Sequence, residues 1–198
     1  MLGILNDILD FSKIEAGKVA LEATHFEVES VVQNALFMVQ HRAEGKHLEL
    51  ILDYRLAPNF PGLIGDPLRL GQILINLLTN AVKFTESGHV RLTVSERSRE
   101  ARISTLVFNI EDTGIGMTAE QVSRLFQEFA QADGSTTRKY GGTGLGLSIS
   151  KHLAEAMGGE IAAESVADHG SVFHFSVRLP LAADEAAPDR DAGPLCRR

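Results

Sequence analysis

Apolar residues recur along this chain with two periods, three to four residues in some stretches and two in others. Residues 1–16 place Leu2, Leu5 and Leu9 on one side of a helix, with Ile4, Ile8 and Phe11 beside them. So short a helix is marginal alone, so this stripe is expected to meet another helix, with Gly17 as its stop. A second helix is predicted over 29–44 from Val32, Ala35, Leu36 and Val39, ending at Gly45, and a strand over 47–53. Asp66 and Pro67 read as the N-cap and first residue of a third helix running to about Phe84. Strict alternation then takes over. Val90, Leu92 and Val94 predict a strand over 89–96, and Leu106, Phe108 and Ile110 one over 105–112, joined by a hairpin through 97–104. Helices are expected over 119–129 and 145–157, and two closing strands over 160–166 and 171–179, turning through Asp168, His169 and Gly170.

Five strands, some joined by helices and some by hairpins, predict an α+β fold. The expected form is a two-layer sandwich, a mixed five-stranded sheet with helices on one face, preceded by a short helix. Residues 131–144 are polar, glycine-rich and aperiodic, the mark of a functional lid or a disordered loop. From Pro180 onward, Ala, Asp, Pro and Arg without period suggest a flexible tail. No internal repeat interrupts this order.

Composition narrows the function. At 198 residues, with 44% hydrophobic and 23% charged, the chain can bury a core without metals or disulfides. A net charge of −7 argues against nucleic acid as a partner, because that contact needs clustered basic residues. One cysteine, Cys196, permits no disulfide framework and fits a reducing cytoplasm. No apolar run approaches the ~20 residues of a membrane span, and Asn6, Asp7 and Asp10 interrupt any signal-peptide pattern.

Three segments carry candidate chemistry. The third helix has an apolar stripe (Leu70, Leu74, Leu77, Ala81, Phe84) and a displaced polar one (Arg69, Gln72, Asn76, Asn80, Lys83). Such a polar stripe is ordinarily a solvated face rich in Glu and Lys. This one instead holds two asparagines, which are poor helix formers. Their carbonyl oxygens suit Mg²⁺, and the lysine that follows suits a phosphate. Residues 112–116, Asp-Thr-Gly-Ile-Gly, end a strand, and their glycines permit close approach to a flat ligand. Residues 141–147, Gly-Gly-Thr-Gly-Leu-Gly-Leu, precede a helix, where free N–H groups favour phosphate. The last is neither a Walker A loop nor a dinucleotide fingerprint after a strand. Each segment alone is ambiguous.

In this order and spacing, they resemble the catalytic ATP-binding domain of histidine kinases. That superfamily also holds type II topoisomerases, the Hsp90 chaperones and mismatch-repair ATPases. Residues 66–85 resemble its N box, 112–116 its first glycine box, 125–129 (Leu-Phe-Gln-Glu-Phe) its phenylalanine box and 142–146 its second glycine box. Gly170, Ser171, Phe173 and Phe175 resemble its closing strand, and 5–17 the end of the second dimerisation helix of hybrid-type kinases. The resemblance implies three divisions: a dimerisation-helix remnant over 1–20, the ATP-binding domain over 21–180 and a tail over 181–198.

It also implies roles. Asp112 would accept the adenine amino group, and Gly114 and Gly116 would pass close to the base. Asn80 would ligate Mg²⁺, Asn76 would support it, and Lys83 would contact phosphate. Residues 118–142 would form a mobile lid, from which Arg138 or Lys139 reaches the γ-phosphate. Gly142, Thr143, Gly144, Leu145 and Gly146 would bind phosphates through the backbone. Relatives that hydrolyse ATP carry a glutamate one turn before the metal asparagine; here it is Asn76, which is no general base, so phosphotransfer is favoured over hydrolysis. The implied partners are ATP, a helical domain bearing the acceptor histidine in cis or trans, a receiver domain or response regulator, and a second copy in a full-length homodimer. None of the seven histidines (25, 41, 47, 89, 152, 169, 174) has the acceptor's context, so the chain is expected to begin just after the acceptor helix. The location implied is cytoplasmic, with a parent that can be membrane-anchored. Two other readings stay open: a degenerate nucleotide-binding or docking module, and a protein serine kinase of the same superfamily. The stretch resembling a dimerisation helix weighs against the second.

Overall fold

The structure, a computed structural model, describes residues 20–127 and 144–182. The predicted N-terminal helix and residues 183–198 lie outside them. So do Arg138, Lys139, Gly142 and Thr143, and most of the segment expected to be a lid. Pro180 pairs with Ile103 and Leu181 bridges Leu63, so the expected tail does not start at Pro180: the strand pairing carries the chain on to residue 182.

The sheet contains β2 (Glu49–Tyr54), β4 (His89–Glu100), β5 (Ile103–Asp112), β7 (Gly170–Pro180) and β6 (Ile161–Val166), side by side in that order. Only the β2–β4 pair is parallel. A parallel pair needs a crossover, and α2 (Pro67–Phe84) supplies it. The inward positions of the three central strands are buried: Val90, Leu92 and Val94; Leu106, Phe108 and Ile110; Phe173, Phe175 and Val177. Phe108 and Phe175 face each other across β5 and β7 with ring centroids 4.6 Å apart. The opposite face is polar, with Arg91 bonded to Glu111 at 2.9 Å and Asn109 to the ring of His174 at 2.9 Å. One face thus takes the helices α1 (Val28–Glu44), α2 and α4 (Gly146–Ala156), as the alternation predicts.

Several boundaries differ from the sequence expectation. The β4–β5 ladder extends through Glu100 and Ile103, with a bulge between Glu96 and Ser98 and Ala101 left-handed (φ 52°) in the turn. The strand expected from 47 begins at Glu49, because the N–H of Leu48 turns back to the carbonyl of Ala43 at 3.0 Å. Of the helix expected over 119–129, residues 128–129 lie outside the described residues, and the rest contains α3 (Ala119–Arg124), started by a capping box between Thr118 and Gln121. It buries no residue, and the N–H groups of Leu125 and Gln127 bond three residues back, which tightens the chain out of the helix. Phe84 is half-buried at the end of α2 rather than in the core stripe.

A second, two-stranded sheet of β1 (Thr24–Phe26) and β3 (Leu63–Gly65) was not predicted. Leu63 also bridges to Leu181, so the segments entering and leaving the described domain meet beside β3. Among the described residues, no helix is long and apolar enough to cross a membrane.

Candidate nucleotide site

α2 organises the site. Asp66, 4% exposed, caps it by accepting the N–H of Arg69 at 3.0 Å, and Pro67 occupies the first turn. Its apolar side, including Leu70, Leu74, Leu77 and Ala81, is buried. The polar stripe is not a solvated face. Arg69, Gln72, Asn76, Asn80 and Lys83 are all half-buried, and Arg69 donates to Gln72 at 2.7 Å.

α4 packs against this stripe. The Asn76 amide donates to the hydroxyl of Ser150 at 2.9 Å, and Ser150 is 2% exposed. The other side of the Asn76 amide lies against Gly146, where an added Cβ would stand 2.5 Å from Asn76 Oδ1. That contact favours glycine at the start of α4, because a Cβ would push the Asn76 amide off its bond to Ser150 or shift the helix. Gly144 is half-buried just before it, and the Leu145 side chain is 3% exposed, in the core, so Leu145 offers a ligand only its backbone.

Asp112 ends β5 and is 5% exposed. Its Oδ1 accepts the N–H of Gly114 at 2.9 Å, and Ser171 bonds it from β7 through its backbone and hydroxyl. Burial pushes the Asp112 carboxyl above the usual carboxylate range, and the hydrogen bonds from Gly114 and Ser171 oppose that shift. The turn that follows is tied to α2, because Ile115 donates to the carbonyl of Phe84 at 3.3 Å. It is also tied to the β6–β7 turn, through Asp168 to the Ile115 carbonyl at 2.7 Å and Met117 to the Ser165 hydroxyl at 2.7 Å. Gly116 is left-handed (φ 61°), and a Cβ there would lie 2.0 Å from the Val166 carbonyl oxygen. The fold itself therefore demands Gly116, apart from any ligand.

Lys83 lies one turn beyond Asn80, with its ammonium 4.8 Å from the Phe84 ring centroid. Burial draws its pKa below the ordinary lysine value. An adjacent anion would favour its charged form.

The structure thus gathers Asn76, Asn80, Lys83, Asp112, Gly114, Gly116 and Gly146 around the C-terminal half of α2. The seven histidines lie on strands, helices and turns. Among the described residues no cluster of three or more His, Cys, Asp or Glu is poised for a metal. Asn80, half-buried on α2, carries a neutral amide oxygen of the kind Mg²⁺ accepts when phosphates and water supply its other ligands. Sequence reasoning missed Ser150 and Ser165, whose spacing from the motifs carries no local signal.

The family described as histidine kinase-, DNA gyrase B-, and HSP90-like ATPase matches residues 65–183. The chain is similar to the sensor histidine kinase GacS of Pseudomonas protegens, 48% identical over 200 residues that cover 100% of this chain and 21% of that protein. It is 44% identical over 182 residues to the signal transduction histidine-protein kinase BarA of Escherichia coli K12, covering 91% of this chain and 20% of BarA. It therefore spans about a fifth of the length of the curated relatives it matches. Full-length ShkA, solved in complex with AMPPNP, superposes with a TM-score of 0.78 at 32% identity, covering 92% of this chain and 36% of ShkA. The catalytic domain of histidine kinase ThkA shares the fold, with a TM-score of 0.62 at 23% identity over 81% of this chain and 96% of that one.

Proposed function

Because the chain belongs to the histidine kinase-, DNA gyrase B- and HSP90-like ATPase family, we propose that it is the catalytic, ATP-binding part of a sensor histidine kinase. It binds ATP with Mg²⁺ and directs the γ-phosphoryl group to a histidine on a helical dimerisation domain, in cis or in trans. The observation that carries this reading is the buried Asp112 carboxyl at the end of β5, bonded by Gly114 and Ser171 and set beside the half-buried asparagine stripe of α2. A carboxylate there accepts an N–H from the amino group of adenine; guanine presents a carbonyl oxygen at that position and would be repelled.

In the transfer, the bond from the γ-phosphorus to its bridging oxygen breaks, one from an imidazole nitrogen to phosphorus forms, and ADP leaves. Such a reaction needs chiefly positioning and neutralisation of charge. Asn80 holds the Mg²⁺, which supplies charge neutralisation to the phosphates. Lys83 meets a phosphate, and Gly144 and Gly146 present backbone N–H groups; the matching role of Gly142 and Thr143 comes from the motif alone. Asn76 is not a base. Its amide is engaged by Ser150, which orients it and leaves no group at that position to activate water. In the full-length protein we expect a homodimer, a receiver domain or response regulator as the next acceptor, and a cytoplasmic site of action.

The test is thermal unfolding with ATP·Mg²⁺. At a hundredfold excess over its Kd, a ligand adds about 2.7 kcal/mol, and Asp112→Asn should cut that gain to about 0.4 kcal/mol. Hydrolysis should stay below about one turnover per second, the low end of the usual enzyme range. No stabilisation by ATP·Mg²⁺ at millimolar concentration would instead favour a docking module.

A further inference from the structure

The last turn of a helix leaves carbonyls that no helical N–H can satisfy. At the end of α2 three such carbonyls, of Val82, Lys83 and Thr85, accept hydrogen bonds from one side chain. The Lys46 ammonium reaches them at 2.7, 2.8 and 2.9 Å. An ammonium has three donors, and Lys46 directs all of them to this one helix end. Its positive charge also opposes the partial negative charge that gathers there.

Lys46 is itself held in place. It lies in the turn after α1, where its N–H bonds the Ala43 carbonyl, that of His47 bonds Glu44 and that of Leu48 bonds Ala43, each at 3.0 Å. His47 takes a left-handed backbone (φ 55°), a conformation L-residues seldom adopt unless their surroundings impose it. The strained turn thus sends the Lys46 side chain across to α2, 37 residues away in sequence.

What depends on that helix end is the site. Lys83 projects from it. The Phe84 carbonyl, between two that Lys46 binds, accepts the N–H of Ile115, and Gly114 packs on the same oxygen, which a Cβ would approach to 2.5 Å. Thr85 is fully buried and bonds back to Ala81 through both N–H and hydroxyl. The turn carrying Asp112 is therefore seated on the Phe84 carbonyl, flanked on both sides by carbonyls that Lys46 binds.

We infer that Lys46 is a positioning residue of the nucleotide site: it touches no nucleotide, but holds the C-terminal turn of α2 so that Lys83 and the 112–116 turn stand in binding geometry. This rests on the ATP-binding reading of the same site. Without the ammonium, the carbonyls of 82–85 would seek water, the last turn would open, and Ile115 would lose its acceptor.

The test uses the whole chain with Lys46→Met, and Lys46→Arg as a variant that keeps charge and donors. In nucleotide-free protein, amide hydrogen exchange at Thr85 and Ile115 should quicken at least tenfold in Lys46→Met, while Phe108 and Phe175 in the sheet are unchanged. Lys46→Arg should stay near wild type. By calorimetry at a temperature where each protein is folded, ATP·Mg²⁺ should bind Lys46→Met about tenfold more weakly, or about 1.4 kcal/mol, with most of the affinity restored in Lys46→Arg. If Lys46→Met does not fold, Lys46→Gln, neutral but with two donors, takes its place. A variant that loses stability uniformly yet binds ATP·Mg²⁺ like wild type would make Lys46 a general stabiliser and overturn the proposal. If wild-type protein binds no ATP·Mg²⁺, the ATP reading fails by itself. Exchange at Ile115 then decides about Lys46: unchanged exchange overturns its positioning role, and selective quickening upholds it.

Discussion

The two ends of α2 are closed by side chains of opposite charge, one from its own cap and one from a distant turn. At the N-terminal end Asp66 accepts the N–H of Arg69 and, at 3.2 Å, that of Glu22 in the segment leading into β1. This end belongs to the frame, since β3 leads into it and joins both β1 and Leu181. At the C-terminal end Lys46 accepts nothing and donates three times, and Asn80, Lys83 and the Asp112 turn gather there. The ends are about 27 Å apart at ~1.5 Å per residue. One helix thus separates what holds the domain together from what holds its ligand. Damage at the first end should read out as stability, and damage at the second as affinity.

The largest expected effect is at the second end. Asp112→Asn replaces the acceptor for the base with a group of the same shape. Hydrogen bonds to a charged group are worth about 1.5–3 kcal/mol, so ATP affinity should fall about a hundredfold by calorimetry. Stability should not follow. Burial raises the Asp112 carboxyl above the ordinary aspartate value in the folded state. The folded protein therefore binds more protons between the two values, and the stabilisation present below the unfolded pKa is lost as pH rises through the folded one. At neutral pH the wild type carries that penalty and Asp112→Asn does not. In urea at pH 7 the variant should be at least as stable as wild type, and wild type should gain on it as pH falls towards about 4. Parallel loss of stability and affinity would break the division.

Gly146→Ala comes next. Its Cβ would press to 2.5 Å on Asn76 Oδ1, shifting Asn76 or the start of α4. Overpacking of this kind costs about 1–3 kcal/mol, and ATP affinity should fall about tenfold. A Gly146→Ala variant that loses stability yet binds ATP·Mg²⁺ like wild type would show that this contact serves the frame alone. The smallest binding effect belongs to the first end. Asp66→Ala removes an N-cap and should cost about 1–2 kcal/mol in urea, with ATP affinity within about twofold of wild type. A tenfold loss there would show that the ends are coupled.

The same contrast explains what could be read from the sequence. Asp66 and Pro67 announce one end of α2 because a cap is local: the side chain and the N–H it accepts are three residues apart. Val90, Leu92, Val94 and the matching positions of β5 announce the sheet because alternation is local as well. Lys46 announces nothing, since its partners lie 36 to 39 residues on. β1 and β3, three residues each, are too short to show a period, and their pairing joins Thr24 to Gly65. The Asn76 and Asn80 stripe was legible as unusual, and the structure adds that Ser150 holds the Asn76 amide. Gly116 was expected to make room for a base, yet the Val166 carbonyl already requires it. A motif can thus mark a site correctly while the fold supplies part of the reason for its residues.

The most direct test of the central claim is transfer itself. The protein is mixed with ATP labelled on the γ-phosphate, Mg²⁺ and a separate helical hairpin bearing the acceptor histidine. Acid-labile label is expected on that histidine and, at ATP near the wild-type Kd, little or none with Asn80→Ala or Asp112→Asn. ATP bound with the expected thermal gain but no label on the hairpin, or label that persists in both variants, would contradict the claim.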